Sequence, residues 1–354
     1  MALSLRGRRL ATLCAAALPA LGSLMGAGSA GAASTQDFAY VGNLGAGNGV
    51  LAVFNTSLGD QVATVPVGED IDDVVARPGG AQVFATGIAG VSPNEYTRVV
   101  AVSTTTNTVV GSVSVPLGSN NLVFDAEGDS AYVGPNNDNT VKVIDAATLR
   151  VVGTFTPDTP AGASYYEDGI ALSPNGKTLY EMYGTNQYSY VVEFDTATGT
   201  IKHKVTLPGY YHYFAVSPDG TRLYATGLDS EPGVGGTGYF AVVAASTGAV
   251  LDTSVVGPNP SGVVLDAAGD TAYVSDLDIN ALFAISTSTG QTTRVIGTSG
   301  GANSETLFDG DMYLPLFTDS ELDIVSVTDQ YYGGVTPYTV GINPTSVAVV
   351  ALTG

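Results

Sequence analysis

The chain has 354 residues with 33 acidic and 12 basic side chains, one cysteine, two histidines, 45 glycines and no tryptophan. A formal charge of −21 repels phosphate backbones and anionic lipid, which argues against nucleic acid and membranes as partners. One cysteine rules out a disulfide framework, and the residue inventory has too few histidines for a multi-copper cluster, no C-x-x-C-H for haem and no tryptophan for a derived quinone.

In chain order, Arg6, Arg8 and Arg9 precede a mostly apolar stretch from Leu10 to Leu24, and Ala30-Gly31-Ala32 or Gly31-Ala32-Ala33 suits a signal peptidase. Residues 1–33 therefore read as a signal peptide cleaved near residues 32–33. Pro19 and Gly22 break the stretch, which is too short for a bilayer span. Arg8-Arg9 raises a twin-arginine route, but Ala11 and Thr12 suit ordinary secretion better. Cys14 lies too early for a lipoprotein site and leaves with the signal. Nine basic and 33 acidic residues then leave a net charge of −24. No later apolar run spans a bilayer, so an extracellular, monomeric protein without a membrane anchor is expected, with residues 34–354 as one domain.

An aromatic residue opens a strand-like run at Tyr40, Phe84, Tyr132, Tyr180, Tyr224, Tyr273 and Tyr313, at intervals of 40 to 49 residues. Each is followed by a polar loop, an apolar strand, a Thr/Gly turn, a further apolar strand and another loop. A period of this size with four short strands is the signature of a β-propeller blade, and seven are expected, starting near 38, 83, 131, 179, 223, 272 and 312. The unit from Asp168 shows the pattern: strands at Asp168–Leu172, Leu179–Met182, Tyr190–Phe194 and Ile201–Leu207, with Pro and Gly confined to the turns. Phe308-Asp309-Gly310-Asp311 is a shortened turn, the largest departure from the repeat. Residues 38–67 supply only second, third and fourth strands, and Pro344–Val350 supplies the missing innermost one. Pairing it with Phe38–Gly42 closes the ring and removes an exposed edge.

Several segments resemble the YVTN family of bacterial seven-bladed β-propellers. They are Ala39-Tyr40-Val41-Gly42-Asn43, Ala131-Tyr132-Val133, Val141-Lys142-Val143-Ile144-Asp145, Val62–Gly68 and Phe214–Gly220. The resemblance covers residues 37–354. It implies the all-β fold of four-stranded antiparallel blades and is nearly silent on activity.

In such a meander the turns after strands one and three share a face, and the loops after strands two and four share the other. The first set is short and repetitive, at Asp125–Gly128, Ser173–Gly176, Ser217–Gly220, Asp266–Gly269 and near Thr198, Thr247 and Thr289. The second set is irregular, including Gly42–Gly49, Gly87–Thr97, Gly134–Thr140, Pro157–Glu167, Met182–Ser189 and Gly227–Gly238. Variable loops on a rigid scaffold are where binding sits. Connections leading into each first strand lie nearest the channel and converge Asp72, Asp73, Asn120, Asn121, Tyr166, Tyr211, Tyr213, Asn303 and Glu305 on one mouth. Hard oxygen donors suit Ca²⁺, with Asp72, Asp73 and Asp168 as candidate ligands, or a sugar held by amides and tyrosines. A cluster of Tyr165, Tyr166, Tyr183, Tyr188, Tyr190, Tyr210, Tyr211 and Tyr213 offers stacking surfaces for a glycan or peptide.

The leading expectation is a binding protein for a protein, peptide or glycan ligand. The alternatives are a metal-assisted, lactonase-like hydrolase or lyase using His212 with Glu167 and Asp168, and a structural cell-surface protein. Propeller lactonases, and the propeller lyase that opens a cyclic peptide antibiotic, are similar at the level of fold only. Other motifs carry less. Asp276–Asn280 has the alternation of a calcium loop without its glycine and glutamate. Gly297–Gly301 fits G-x-S-x-G without a strand-turn-helix elbow, and Gly233–Gly238 fits a dinucleotide fingerprint with no helix to follow. His203, between Lys202 and Lys204, is expected to be exposed and idle.

Overall fold

A computed structural model describes residues 35–353, except 45–48, 69, 91–93, 119–120, 135–136, 159–163, 185–187, 229–235, 303 and 329–334; residues 164–168 and Pro208 are described in backbone alone. The expected signal peptide and the first half of the Gly233–Gly238 motif lie outside the described residues. Thr35–Gly354 is one compact unit, and the described residues form 28 strands in seven four-stranded antiparallel sheets.

Blade one holds β1 (Thr35–Asn43), β2 (Val50–Asn55) and β3 (Asp60–Pro66). Blade two is β4 (Asp70–Ala76), β5 (Gln82–Ala89), β6 (Tyr96–Ser103) and β7 (Thr108–Val115). Blade three is β8 (Asn121–Phe124), β9 (Ser130–Gly134), β10 (Val141–Asp145) and β11 (Arg150–Phe155). Blade four is β12 (Ser164–Leu172), β13 (Thr178–Gly184), β14 (Tyr188–Asp195) and β15 (Ile201–Pro208). Blade five is β16 (Tyr210–Val216), β17 (Arg222–Leu228), β18 (Gly238–Ala244) and β19 (Val250–Val255). Blade six is β20 (Val264–Leu265), β21 (Thr271–Asp276), β22 (Ala281–Ser286) and β23 (Thr292–Gly297). Blade seven is β24 (Thr306–Phe308), β25 (Asp311–Leu316), β26 (Glu321–Ser326) and β27 (Val335–Thr339). The last strand, β28 (Pro344–Thr353), returns to blade one and pairs with β1 from Thr35↔Thr353 to Asn43↔Pro344, closing the ring.

All seven repeat aromatics are buried in second strands. Their faces alternate with the pleat, so Tyr40 packs toward blade two while Ala39 and Val41 pack toward blade seven. Seven apolar clusters result, one at each junction between neighbouring blades. A middle strand is thus covered on both sides, as the continuous burial of β13 shows.

The turns between first and second strands are uniform: 77–81, 125–129, 173–177, 217–221 and 266–270. In all five the amide of Gly80, Gly128, Gly176, Gly220 or Gly269 donates back to the carbonyl of Arg77, Asp125, Ser173, Ser217 or Asp266, with the glycine at positive φ. The shortened turn of blade seven is a two-residue hairpin, Asp309-Gly310, with φ of 47° and 81°. Both central residues have the positive φ that matches the strand twist. On the opposite face, connections range from a single residue (209) to 229–237. Two expectations shift in extent. The blade-four loop shrinks to 185–187, because β13 and β14 extend their pairing to Gly184↔Ser189. The third-to-fourth connection of blade seven, 327–334, is longer than its counterparts.

Candidate functional site

Several residues assigned by sequence to connections at the mouth belong instead to innermost strands. Asp70–Asp73 lie in β4 and Tyr210–Tyr213 in β16, because backbone pairing runs on through Asp70↔Ile88 and Tyr210↔Leu228. Each strand absorbs one extra residue in a bulge, Asp72 between Ile71 and Asp73, and His212 between Tyr211 and Tyr213. Bulges re-aim side chains without ending the sheet, so a polar run reads locally like a loop.

One position recurs in all seven blades, two residues before the first-strand partner of the repeat aromatic. Those partners are Ala348, Val75, Val123, Ala171, Ala215, Val264 and Thr306, which places Ser346, Asp73, Asn121, Gly169, Tyr213, Gly262 and Ser304 in a ring near the variable-loop end. In the first two blades the position is an inter-blade clasp. Ser346 Oγ accepts from the Val74 amide at 3.1 Å and donates to Asp73 Oδ1 at 2.9 Å. Asp73 Oδ1 also accepts from the Val74 amide at 2.8 Å, and its Oδ2 from the Leu122 amide at 3.1 Å. Burial pushes the Asp73 carboxyl above its ordinary pKa, and these three bonds oppose the rise. Both oxygens therefore link blades one, two and three. Asp73→Ala strands buried donors in two neighbours, and a loss of about 2–4 kcal/mol is expected in urea denaturation.

The remaining candidates divide. Asn121 begins β8 and Asp72 is half-buried. Tyr211 is buried in the core between blades four and five, where burial raises its phenol pKa. Asn120 and Asn303 lie outside the described residues, as do the side chains of Tyr165, Tyr166, Glu167 and Asp168. His212 is half-buried beside Tyr213, ring centroids 6.3 Å apart, and burial holds its imidazole below the ordinary pKa. Tyr183 and Tyr190 stack at 5.2 Å with Lys204 Nζ over both rings, so that part of the tyrosine cluster packs within blade four. Among the described residues no three His, Cys, Asp or Glu side chains group closely enough to hold a metal ion.

Tyr213 and Glu305 do come together. With Phe214, Gly262, Val263, Val264 and Ser304 they line a cavity of about 170 Å³ between the inner segments of blades five, six and seven. It forms where the innermost strands are shortest: β20 has two residues and β24 three. The segments leading into them leave the regular ladder and carry Gly262, Ser304 and Glu305. The Glu305 carboxyl lies against Gly262, and any side chain at 262 would collide with it. Glu305 Oε2 accepts from Ser275 Oγ, and Ser261 Oγ lies 3.1 Å from Ser275 Oγ while donating to the Ala302 carbonyl at 2.6 Å. Glu305 Oε1 is buried with no hydrogen-bond partner. Burial, partly offset by Ser275, pushes this carboxyl up to about 7. Gly262 and Ser275 had no signal in the chain taken alone; superposing the seven repeats would have placed Gly262 in the ring.

The minor motifs are structural. Asp276 accepts from the amides of Asn259, Asp278 and Ile279, and fixes a turn. Ser299 binds buried Asp323 through its amide and hydroxyl. His203 is exposed on β15.

No protein-family model matches the chain. Over 92 residues, 26% of its length, it is 36% identical to the uncharacterized protein YncE of Salmonella typhimurium and 35% identical to that of Salmonella typhi. The match spans 24% of each relative's length. Solved structures share the fold at 12% identity. Hydrazine synthase of Kuenenia stuttgartiensis superposes with a TM-score of 0.67, covering 87% of this chain and 99% of that one. Two proteins provisionally named 6-phosphogluconolactonase, from Bacteroides uniformis and Bacteroides fragilis, give 0.63 and 0.65, covering 89% and 90% of this chain and 99% and 98% of theirs.

Proposed function

We propose that this chain is an exported binding protein of the YVTN propeller type, holding a peptide, glycan or exported protein partner at the variable-loop end of its channel. The observation that carries this reading is the cavity at that end, where Tyr213 and Glu305 from blades five and seven meet over a glycine of blade six. The strands that end on that side are joined by connections of one to nine residues, whereas the first-to-second turns of the opposite face repeat with little change. Export is supported by the basic start and apolar stretch of residues 1–33, and the YVTN assignment by the YncE match.

The test uses protein secreted by a host expressing the full chain, applied to peptide and glycan arrays with Tyr213→Ala alongside. Retention of a ligand that drops at least tenfold in the variant, with an unchanged melting temperature, supports the site. Equal retention by both proteins removes it. Catalysis by His212 is the competing reading, favoured by burial that lowers its imidazole pKa and so favours the neutral, basic form. Lactone turnover that disappears in His212→Ala would select it.

A further inference from the structure

We propose that the Glu305 cavity is a receptor for a primary alkylammonium group, with Glu305 Oε1 taking the ammonium and Tyr213, Phe214, Val263 and Val264 enclosing its short apolar stem. This rests on the binding reading above and gives it a ligand chemistry. Glu305 is 8% exposed as a residue, one carboxyl oxygen is held by Ser275, and the other is buried with no donor. A buried acceptor without a donor costs on the order of 1–3 kcal/mol, and an entering N–H group removes that cost. None of the lining residues is cationic, so the positive charge must come from the ligand. A charge of −21 over the chain attracts cations toward the mouth, and an aromatic face beside a carboxylate suits an ammonium. A sugar fits less well: the walls are mainly aliphatic and aromatic, with few polar groups for several hydroxyls. The volume is below the roughly 300–1,000 Å³ of clefts for drug-sized molecules, which suits a small amine or one lysine side chain.

The ionisable surroundings set the pH behaviour. Tyr213 is the other titratable group lining the cavity. On the elements packed around it, Asp276 of β21 is bound to the Asn259, Asp278 and Ile279 amides, and burial lowers the pKa of the His212 imidazole on β16. The described part of β28 carries no charged side chain. Binding an ammonium requires the Glu305 carboxylate, so with its pKa near 7 affinity rises about tenfold from pH 6 to pH 8, and close to one proton is released per amine at pH 6.

The experiment is calorimetry of the secreted protein with n-butylammonium, with n-butanol and glucose as neutral controls, and with a lysine-containing tripeptide to separate a free amine from a side chain. Butylammonium or the tripeptide binding, with the tenfold pH rise, no binding of the controls, and at least a tenfold loss in Glu305→Gln and Gly262→Ala, supports the proposal. Equal binding of butanol, pH-independent affinity, or affinity retained in Glu305→Gln overturns it, and the wild-type pH profile decides the matter if either variant misfolds. Absence of amine binding alongside an array ligand lost in Tyr213→Ala overturns the ammonium assignment while the site stands. Amine binding that needs Glu305, alongside an array ligand indifferent to Tyr213, supports the receptor and removes the broader reading.

Discussion

A chain ending at Gly341 is expected to lose its cooperative thermal transition altogether. The missing segment contains β28, which supplies the innermost strand of blade one over pairs running from Thr35↔Thr353 to Asn43↔Pro344. Its alternation serves two junctions at once: Val347 and Val349 pack toward blade seven, Ala348 and Val350 toward blade two. All four are at most 5% exposed. Burial of each valine contributes about 1.5–3 kcal/mol, so the three together are comparable with the net stability of about 5–15 kcal/mol typical of a folded protein. Truncation also strips Ser346 from the Asp73 clasp, removes the Thr345 hydroxyl bond to the Ile71 carbonyl at 2.8 Å, and leaves β1 as an open edge. Circular dichroism should show β-structure without a sharp melt, and a synthetic peptide of residues 342–354 should restore one. A truncated protein that melts within a few degrees of the full chain would show that ring closure contributes little.

The second large effect is a loss of stability as pH rises from acid to alkaline. Glu181 sits in β13, 0% exposed, between Val192 of β14 and Ile170 of β12. Neither carboxyl oxygen has a hydrogen-bond partner, and burial pushes its pKa from 4.5 to about 8. The folded form therefore binds a proton that the unfolded chain has already released anywhere between about pH 4.5 and 8. Stability falls with pH across that window and levels off above it. A rise of this size corresponds to about 5 kcal/mol, or on the order of 5–10 °C in melting temperature for a chain of this length. Glu305 acts with the same sign over a narrower window ending near pH 7. Asp219, lowered to about 2 by Ser217 and Thr221, acts with the opposite sign at far lower pH and does not touch this limb. Melting scans from pH 4.5 to 9 should fall steadily in the wild type. Glu181→Gln should fall much less steeply between pH 7 and 8, keeping only the tail of the Glu305 titration, and be shallower below, and Glu181→Met should be the more stable protein at pH 8, since it leaves no buried polar group unpaired. Parallel curves for wild type and Glu181→Gln would remove Glu181 as the cause.

The closing strand and Glu181 mark how far the chain could be read directly. Pro344–Val350 was recognisable as a closing strand because a ring with one strand missing at one end needs it at the other. In Leu179-Tyr180-Glu181-Met182, by contrast, Glu181 looks like the solvent-facing member of an alternating strand. A blade sandwiched between two neighbours has no solvent face for its middle strands, and that rule belongs to the assembled ring. Asp72 and Asp73 misled for a related reason. Adjacent acids resemble a loop, yet a bulge keeps both in β4, and Asp73 turns to the amides and hydroxyl of the flanking blades.

By itself the sequence determined the blade count, the antiparallel four-strand unit, the closing strand and the faces carrying uniform and variable turns. Each of these follows from local periodicity and turn chemistry, which act over a few residues and repeat seven times. The tertiary structure alone decided which polar groups are spent on the scaffold and which line a cavity. Glu305 meets Gly262 across a blade junction, and the shortness of β20 and β24 opens the space between them. The burial and pairing of a side chain depend on what the neighbouring blade presents, and that is set only when the ring shuts.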